Sequence, residues 1–289
     1  MTVAGDEAFA VERPRLLGLA YRILGSVSEA EDVVQDAWLR WSAADQAVVE
    51  RPAAFLTTVV TRLSLDRIRS LSRRRETYVG PWLPEPVAIE RGPEEQLEMA
   101  ESLTLGFLLV LDRLSPVERA VWLLAEVFGE PYALIAEAVG KSEAACRQVA
   151  SRARRRLREE RPAPAEALDA DVLARLLTAV AVGDLEQVLA LLDADVVLVS
   201  DGGESQRAAR HPVVGAGRVA RFVLNLAKRY PASDVRLADL NGSPAVLFES
   251  SGMPVVVTGE QSNGKVTRIF IILNPDKLHA IASPPARMT

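Results

Sequence analysis

The sequence predicts a multidomain chain in which an all-α first half is followed by an α+β domain. Three observations carry that prediction. Apolar residues recur three and four apart from Phe9 to Arg75 and again from Leu97 to Arg158, the period of amphipathic helices. A proline-alanine joint, Arg161-Pro162-Ala163-Pro164-Ala165, then interrupts the chain. Beyond it lie β-rich runs, DVVLVSDGG, PAVLFESSG, MPVVVTGEQ and KVTRIFIIL, with Asn241-Gly242 and Asn263-Gly264 as hairpin turns. At 289 residues there is room for two or three domains, each with its own core.

In the first segment Leu16, Leu17, Leu19, Ala20, Ile23 and Leu24 share a helical face, and Gly25 closes that helix. Ser28-Glu29-Ala30-Glu31 has capping-box spacing and opens the next helix. Along it Val33, Val34, Ala37, Trp38 and Trp41 face inward, while Glu31, Asp32, Gln35 and Asp36 make an acidic outer edge. Such an edge is ordinarily a solvated face. After Pro52 a third helix places Phe55, Leu56, Val59, Leu63, Leu65 and Ile68 inward. Its polar side carries Arg62, Arg67 and Arg69, followed by Arg73, Arg74 and Arg75. A basic, threonine-bearing helix beside tryptophans offers phosphate contacts and stacking surfaces for unpaired bases.

Residues 76–96 break the helical period with several prolines and glycines, which makes them a linker. It carries Tyr78, Trp82, Leu83, Val87 and Ile89, too many apolar side chains for a free spacer, so it should lie against another surface. Helices resume at Leu97. Leu134, Ile135, Ala138 and Val139 share one face of a short helix, Gly140 ends it, and Ser142 can cap a second helix that starts near Glu143. On that helix Cys146, Val149, Ala153 and Leu157 face inward. Arg147, Gln148, Ser151, Arg152, Arg154, Arg155 and Arg158 face outward. This is a helix-turn-helix pattern, and its arginines suit base edges and phosphates in a major groove. The alternative from the residues alone is a solvated basic helix in a helical bundle.

Net charge is −5 with charged residues at 25% and hydrophobic ones at 49%. An acidic chain gains little from counterion release, so it should bind duplex weakly by itself and would need a partner that carries the DNA. No run approaches the roughly 20 apolar residues of a membrane span, and the start lacks a basic flank before an apolar core; the reading is cytoplasmic, with no membrane partner. The lone Cys146 excludes an internal disulfide and a multi-thiolate zinc site, and no cofactor or metal is expected.

The order of these parts resembles a group-four, extracytoplasmic-function sigma factor of bacterial RNA polymerase. On that resemblance residues 7–75 are sigma region 2, 76–96 a linker, and 97–160 sigma region 4 with its helix-turn-helix. It implies core RNA polymerase and promoter DNA as partners. The stretch AEDVVQDAWLRW looks like the part that docks on polymerase, implicating Asp32, Gln35, Asp36 and Trp38. FLTTVVTRLSLDRIRSLSRRR looks like the part that melts and reads the −10 element, implicating Arg62, Arg67, Arg69, Arg73 and Arg74. Region 4 reads the −35 element, implicating Ser142, Arg147, Gln148, Ser151, Arg152 and Arg155.

Residues 166–283 resemble a SnoaL-like domain of the nuclear-transport-factor fold, an extension carried by sigma factors of the SigJ type. Two motifs of that subgroup are intact, Trp82-Leu83-Pro84-Glu85-Pro86 and Asn274-Pro275-Asp276-Lys277-Leu278. A third, Asp-Gly-Gly-Gly-Lys, stands here as Asp201-Gly202-Gly203-Glu204-Ser205, so the missing basic contact would have to come from elsewhere, such as Arg207 or Arg210. The resemblance implies a regulatory contact between linker and extension through Trp82, Leu83, Pro84, Asp201, Gly202, Gly203, Asn274, Pro275 and Asp276, with no separate anti-sigma factor required. Two other readings stay open. One is a one-component regulator whose extension senses a small molecule; the other is an isomerase or cyclase using polar groups among Asp195, Asp201, Glu260 and His211.

Overall fold

A computed structural model of the chain describes residues 3–75, 78–88, 104–160 and 166–282. The chain divides into two compact units, Met1–Glu76 with Val110–Glu160, and Thr77–Leu109 with Arg161–Thr289.

The first unit is helical. It begins with α1 (Val3–Leu24), α2 (Val27–Ala43) and α3 (Pro52–Arg75). Gly25 takes the left-handed conformation (φ 73°) that stops α1, and its amide closes on the Tyr21 carbonyl. The cap of α2 is Ser26, not Ser28. Ser26 is extended and its hydroxyl accepts from the Glu29 amide, whereas Ser28 already sits in the first turn. Trp41 is buried against the Phe55 ring at 5.7 Å, and Trp38 meets Phe9 at 4.9 Å.

The remaining elements of this unit are α4 (Leu105–Leu111), whose first residues belong to the second unit, α5 (Pro116–Trp122), α6 (Tyr132–Val139) and α7 (Glu143–Glu160). A full capping box between Ser115 and Glu118 starts α5, which runs into a π-helical turn over Leu123–Val127. Helix α3 is enclosed on more than one side: besides Leu56, Val60 and Ile68, it buries Thr57, Thr58, Thr61 and Ser64. The threonines expected to meet nucleic acid are therefore inside. Arg62 of α3 donates to the Glu137 carbonyl of α6 at 2.7 Å, and Arg15 of α1 reaches both Thr57 (2.5 Å) and Glu130 (3.0 Å). Buried Arg119 of α5 donates to the Ile23 carbonyl at 2.8 Å. The helix-turn-helix thus packs on the three-helix module.

The second unit is α+β. Its elements are β1 (Glu166–Ala167), α8 (Ala170–Val182), α9 (Leu185–Leu191), β2 (Leu192–Asp201), β3 (Val213–Val214), α10 (Ala216–Arg229), β4 (Ala232–Leu240), β5 (Ser243–Ser250), β6 (Met253–Ser262), β7 (Lys265–Ile272) and α11 (Pro275–Ala282). They build a seven-stranded sheet of order β3-β2-β7-β6-β5-β4, with β1 on β6. The pairs β4–β5, β5–β6 and β6–β7 are antiparallel, and both Asn-Gly turns carry the left-handed φ at each residue that such hairpins need. Strand β2 joins β7 in parallel, which no turn signal announces. Strand β4 was not legible either, because it is exposed along most of its length and shows no alternation.

The period of two sorts the sheet into two faces. Val246, Val255, Ile269 and Ile271 face Leu173 and Leu176 of α8, Val188 of α9 and Val219 of α10. Ala245, Val256, Phe270 and Ile272 point the other way, and that second face is covered by Leu278 of α11 together with Leu83 and Leu105 from the linker region.

Candidate functional site

Helix α7 presents the expected basic face. Gly140 is left-handed (φ 66°), the Ser142 hydroxyl accepts from the Ala145 amide at 3.2 Å, and Cys146, Val149, Ala150 and Ala153 are buried. Burial pushes the Cys146 thiol up, against the pull of Lys141 and Arg147. Arg147, Gln148, Ser151, Arg152 and Arg155 form one exposed stripe. Ser142 is exposed as well, with its hydroxyl engaged as a cap. Three arginines of the helix already have acidic partners: Arg147 with Glu143 (2.8 Å), Arg154 with Glu126 (2.5 Å) and Arg156 with Glu118 (3.0 Å). Arg147 also lies over the Tyr132 ring.

Three basic residues of α3 are likewise engaged. Arg62 is held by the Glu137 carbonyl, Arg67 by Glu29 and Asp32, and Arg69 by Asp66 at 3.0 Å. The side chains of Arg73 and Arg74 lie outside the described residues. On α2, Asp32, Gln35 and Asp36 are exposed and Trp38 is half-buried.

The linker dock lies within the second unit and brings the three subgroup motifs together. At its centre Asp201, fully buried, accepts from the Tyr78 hydroxyl (2.5 Å), the Leu83 amide (2.8 Å), the Gly203 amide (3.0 Å) and Lys277 Nζ (2.6 Å). Lys277 also donates to the Leu83 carbonyl at 2.5 Å and sits 4.2 Å from the centre of the Trp82 ring. Asn274 donates to the Tyr78 hydroxyl at 2.9 Å and accepts from the Asp276 amide. Desolvation, and then the hydrogen bond to Asp201, push the Tyr78 phenol well above its ordinary range, so it stays a donor. A Cβ on Gly203 would lie 2.7 Å from the Asn274 side chain, and one on Gly202 only 2.5 Å from the Gln206 carbonyl, so both glycines are required by close approach.

Leu83 at 0% exposure is the apolar anchor, whereas Trp82 is only half-buried. Pro84 and Pro86 are buried beside it, and Pro275 starts α11. Further along, Val87 exchanges hydrogen bonds with buried Asn241, its amide to the side chain and its carbonyl to the backbone amide. Helix α4 starts on the same domain, with Gly106 packed so tightly on the Glu260 carboxylate that a Cβ there would lie 1.9 Å from an oxygen. Lys277, from the intact Asn274–Leu278 motif, supplies the cation that meets Asp201, while Arg210 meets the linker through its backbone, 3.6 Å from where a Cβ on Gly80 would lie. From the sequence, Asn274, Pro275 and Asp276 are expected at the contact, Lys277 only as a member of their motif, and Tyr78 only as an apolar ring of a docked linker; its hydroxyl bond to Asp201 has no signal.

The polar groups considered for an enzyme do not converge. Asp195 and His211 are exposed, while Asp201 is bonded to the linker and Glu260 to Arg268 at 3.2 Å. Among the described residues no helix is long and apolar enough to cross a membrane.

A three-helix module and a helix-turn-helix, each with a basic face, define a two-part promoter reader of the sigma class. The comparisons agree: residues 9–74 match the family model for sigma-70 region 2, and residues 105–157 that for sigma-70, region 4. The chain belongs to the extracytoplasmic-function sigma factors of RNA polymerase. It is 39% identical to the sigma factor SigJ of Mycobacterium tuberculosis, over 93% of this chain and 91% of that one. To the probable sigma factor SigI of the same species it is 34% identical, over 94% and 93%. The crystal structure of M. tuberculosis SigJ superposes with a TM-score of 0.77 at 37% identity, covering 94% of this chain and 97% of that one. The protein is accordingly a non-enzymatic factor for transcription initiation that works with core RNA polymerase and promoter DNA, and its C-terminal domain is α+β.

Proposed function

We propose that this sigma factor is controlled in cis, by a C-terminal domain that grips the linker joining its two DNA-reading modules and so requires no separate anti-sigma protein. It acts in the cytoplasm. Region 2 spans residues 7–75, the linker 76–96, region 4 residues 97–160 and the regulatory domain 166–283. Arg62, Arg67, Arg69, Arg73 and Arg74 serve the −10 element. Ser142, Arg147, Gln148, Ser151, Arg152 and Arg155 serve the −35 element. Asp32, Gln35, Asp36 and Trp38 dock on polymerase.

The observation that carries this reading is the buried Asp201–Lys277 pair closing on the Leu83 backbone from both sides. Both stretches of the connection, Tyr78–Ala88 and Thr104–Gly106, are held on one domain. Left free, residues 77–104, up to the start of α4, could reach on the order of 90 Å when extended. Pinned, they cannot, and the spacing of the two modules becomes a property of the dock. Arg62 bonded to the helix-turn-helix backbone also supports a resting state in which one reading helix is occupied by the other module.

The test is promoter-directed transcription with purified core polymerase, comparing the full chain with a version ending at Arg161. A changed yield or a changed preference for spacer length between the two elements is expected. Equal yield and equal spacer preference from both proteins would overturn control in cis.

A further inference from the structure

Glu29, Asp32 and Asp36 stand at positions i, i+3 and i+7 of α2, so their carboxylates run along one side of that helix. The side is not empty. Arg67 of α3 lies across it, with Nε donating to Glu29 and a terminal nitrogen to Asp32 at 2.7 Å. The hydrogen bond to Glu29, with further attraction from Asp32 and Asp36, holds the guanidinium above its ordinary pKa despite partial burial. A single cation therefore ties Asp32, which belongs to the edge assigned to polymerase, to Glu29 one turn earlier, with Asp36 close enough to attract it. Its own side chain, 41% exposed, is assigned to promoter DNA.

We infer that Arg67 is a self-masked DNA contact: the Glu29–Asp32–Asp36 stripe binds either Arg67 or a cationic surface of polymerase, and polymerase docking is what frees Arg67 for the DNA strand. The exclusion is electrostatic. Asp32 is 61% exposed and approachable, and a lysine or arginine brought onto its carboxylate would stand within a few ångströms of the Arg67 guanidinium, where like-charge repulsion favours the release of one of the two. A guanidinium paired with two carboxylates contributes no net positive charge to a phosphate. By linkage, any factor by which polymerase raises strand affinity is the factor by which the strand raises polymerase affinity. Such a gate suits an acidic chain, because it silences non-specific DNA binding until the partner is present. This inference rests on the assignment of α2 to polymerase and of α3 to DNA.

The experiment uses the full-length protein as wild type, Glu29→Gln, Arg67→Gln and the double variant, with fluorescein-labelled oligothymidylate as the strand probe and purified core polymerase as the partner. Without polymerase, the slope of log affinity against log salt for Glu29→Gln steepens by about 0.7, the value for one added single-strand phosphate contact. Arg67→Gln alone leaves the slope at the wild-type value, and the double variant returns to it. Arg67→Gln binds core polymerase about 1.5- to 5-fold more tightly, the range of one partly exposed ion pair removed from competition.

If Arg67→Gln by itself flattens the slope, Arg67 touches the strand without release; the gate is overturned while the DNA assignment stands. If neither variant moves the slope, both the gate and the DNA role of Arg67 fall. If Arg67→Gln binds polymerase equally or more weakly, the stripe is not shared and the gate is overturned. A helix-pairing clamp of purely structural kind would lower the melting temperature of Glu29→Gln and leave its salt slope unmoved, which also refutes it.

Discussion

Replacing Asp201 with asparagine keeps the side-chain volume but removes the charge that faces Lys277 at 2.6 Å inside the dock. The lysine side chain is 10% exposed and the aspartate 0%, so the remaining ammonium is left nearly buried without its counter-charge. Breaking a buried pair from one side costs about 3–5 kcal/mol. The lower end applies here, because Lys277 keeps the Leu83 carbonyl and its place over Trp82. At about 1.4 kcal/mol per tenfold, 3 kcal/mol shifts linker docking by roughly 150-fold. The reporter is built in: the Leu83 amide donates to Asp201, so its hydrogen exchange in the intact protein should accelerate by about that factor while amides of α1 and β6 stay protected. Promoter-directed transcription should change in the same variant. Lys277→Met should behave similarly, and Asp201→Asn with Lys277→Met should recover much of the protection, since removing both partners of a buried pair is close to neutral. Exchange at Leu83 unchanged in the single variants, or losses that simply add in the double, would refute the claim that this pair holds the linker.

Two further outcomes follow from packing and burial. Gly106→Ala should favour helix α4 by about 1 kcal/mol from propensity alone, yet its new methyl would fall 1.9 Å from the Glu260 carboxylate. We expect the clash to win and the start of α4 to become sensitive to limited proteolysis, with Glu260→Ala in the same chain restoring resistance; a Gly106→Ala variant as resistant as wild type would refute the tight seating of Gly106. Cys146, at 0% exposure, should react with a thiol reagent only as the helix-turn-helix opens. Burial raises its folded pKa, so the contribution is complete below the unfolded value of about 8.5 and declines as pH climbs from there through the folded value. Denaturant unfolding at pH 7.5 and 9.5 should show that loss in wild type and not in Cys146→Ala.

The helical half was legible because its signals are local. A 3.6-residue period, Gly25, Gly140 and a serine before each turn dictate where helices stop and start with no reference to distant residues. Even there the cap slid from Ser28 to Ser26, two serines equally able to accept a hydrogen bond. The Asn-Gly turns fixed the meander for the same reason. What failed was long-range: the parallel seating of β2 on β7, and the enclosure of Thr57, Thr58 and Thr61, which read as a polar helix face until a second module covers it. At the dock, motif resemblance named the right segments, but the contact that matters joins Lys277 to Asp201 and to the Leu83 backbone. A backbone carbonyl has no sequence signature.

The chemistry of the dock also explains why it is polar at its centre. Leu83 and Leu105 already seal the second face of the sheet, and a lysine and an aspartate in apolar surroundings are a poor way to add stability. They are a good way to add register. An apolar linker could slide by a residue and still bury leucine, whereas the Leu83 amide and carbonyl meet Asp201 and Lys277 only at one position along the chain. Tyr78, held protonated by burial, adds a second fixed point five residues earlier. Under the proposed control in cis, a connection that sets the spacing of two DNA-reading modules gains from register more than from affinity, since one residue of slip would displace a module by about 3.4 Å, the rise of one base pair. The same pair makes the grip breakable: whatever withdraws one charge leaves the other buried and uncompensated, so release is steep where an apolar seal would loosen gradually.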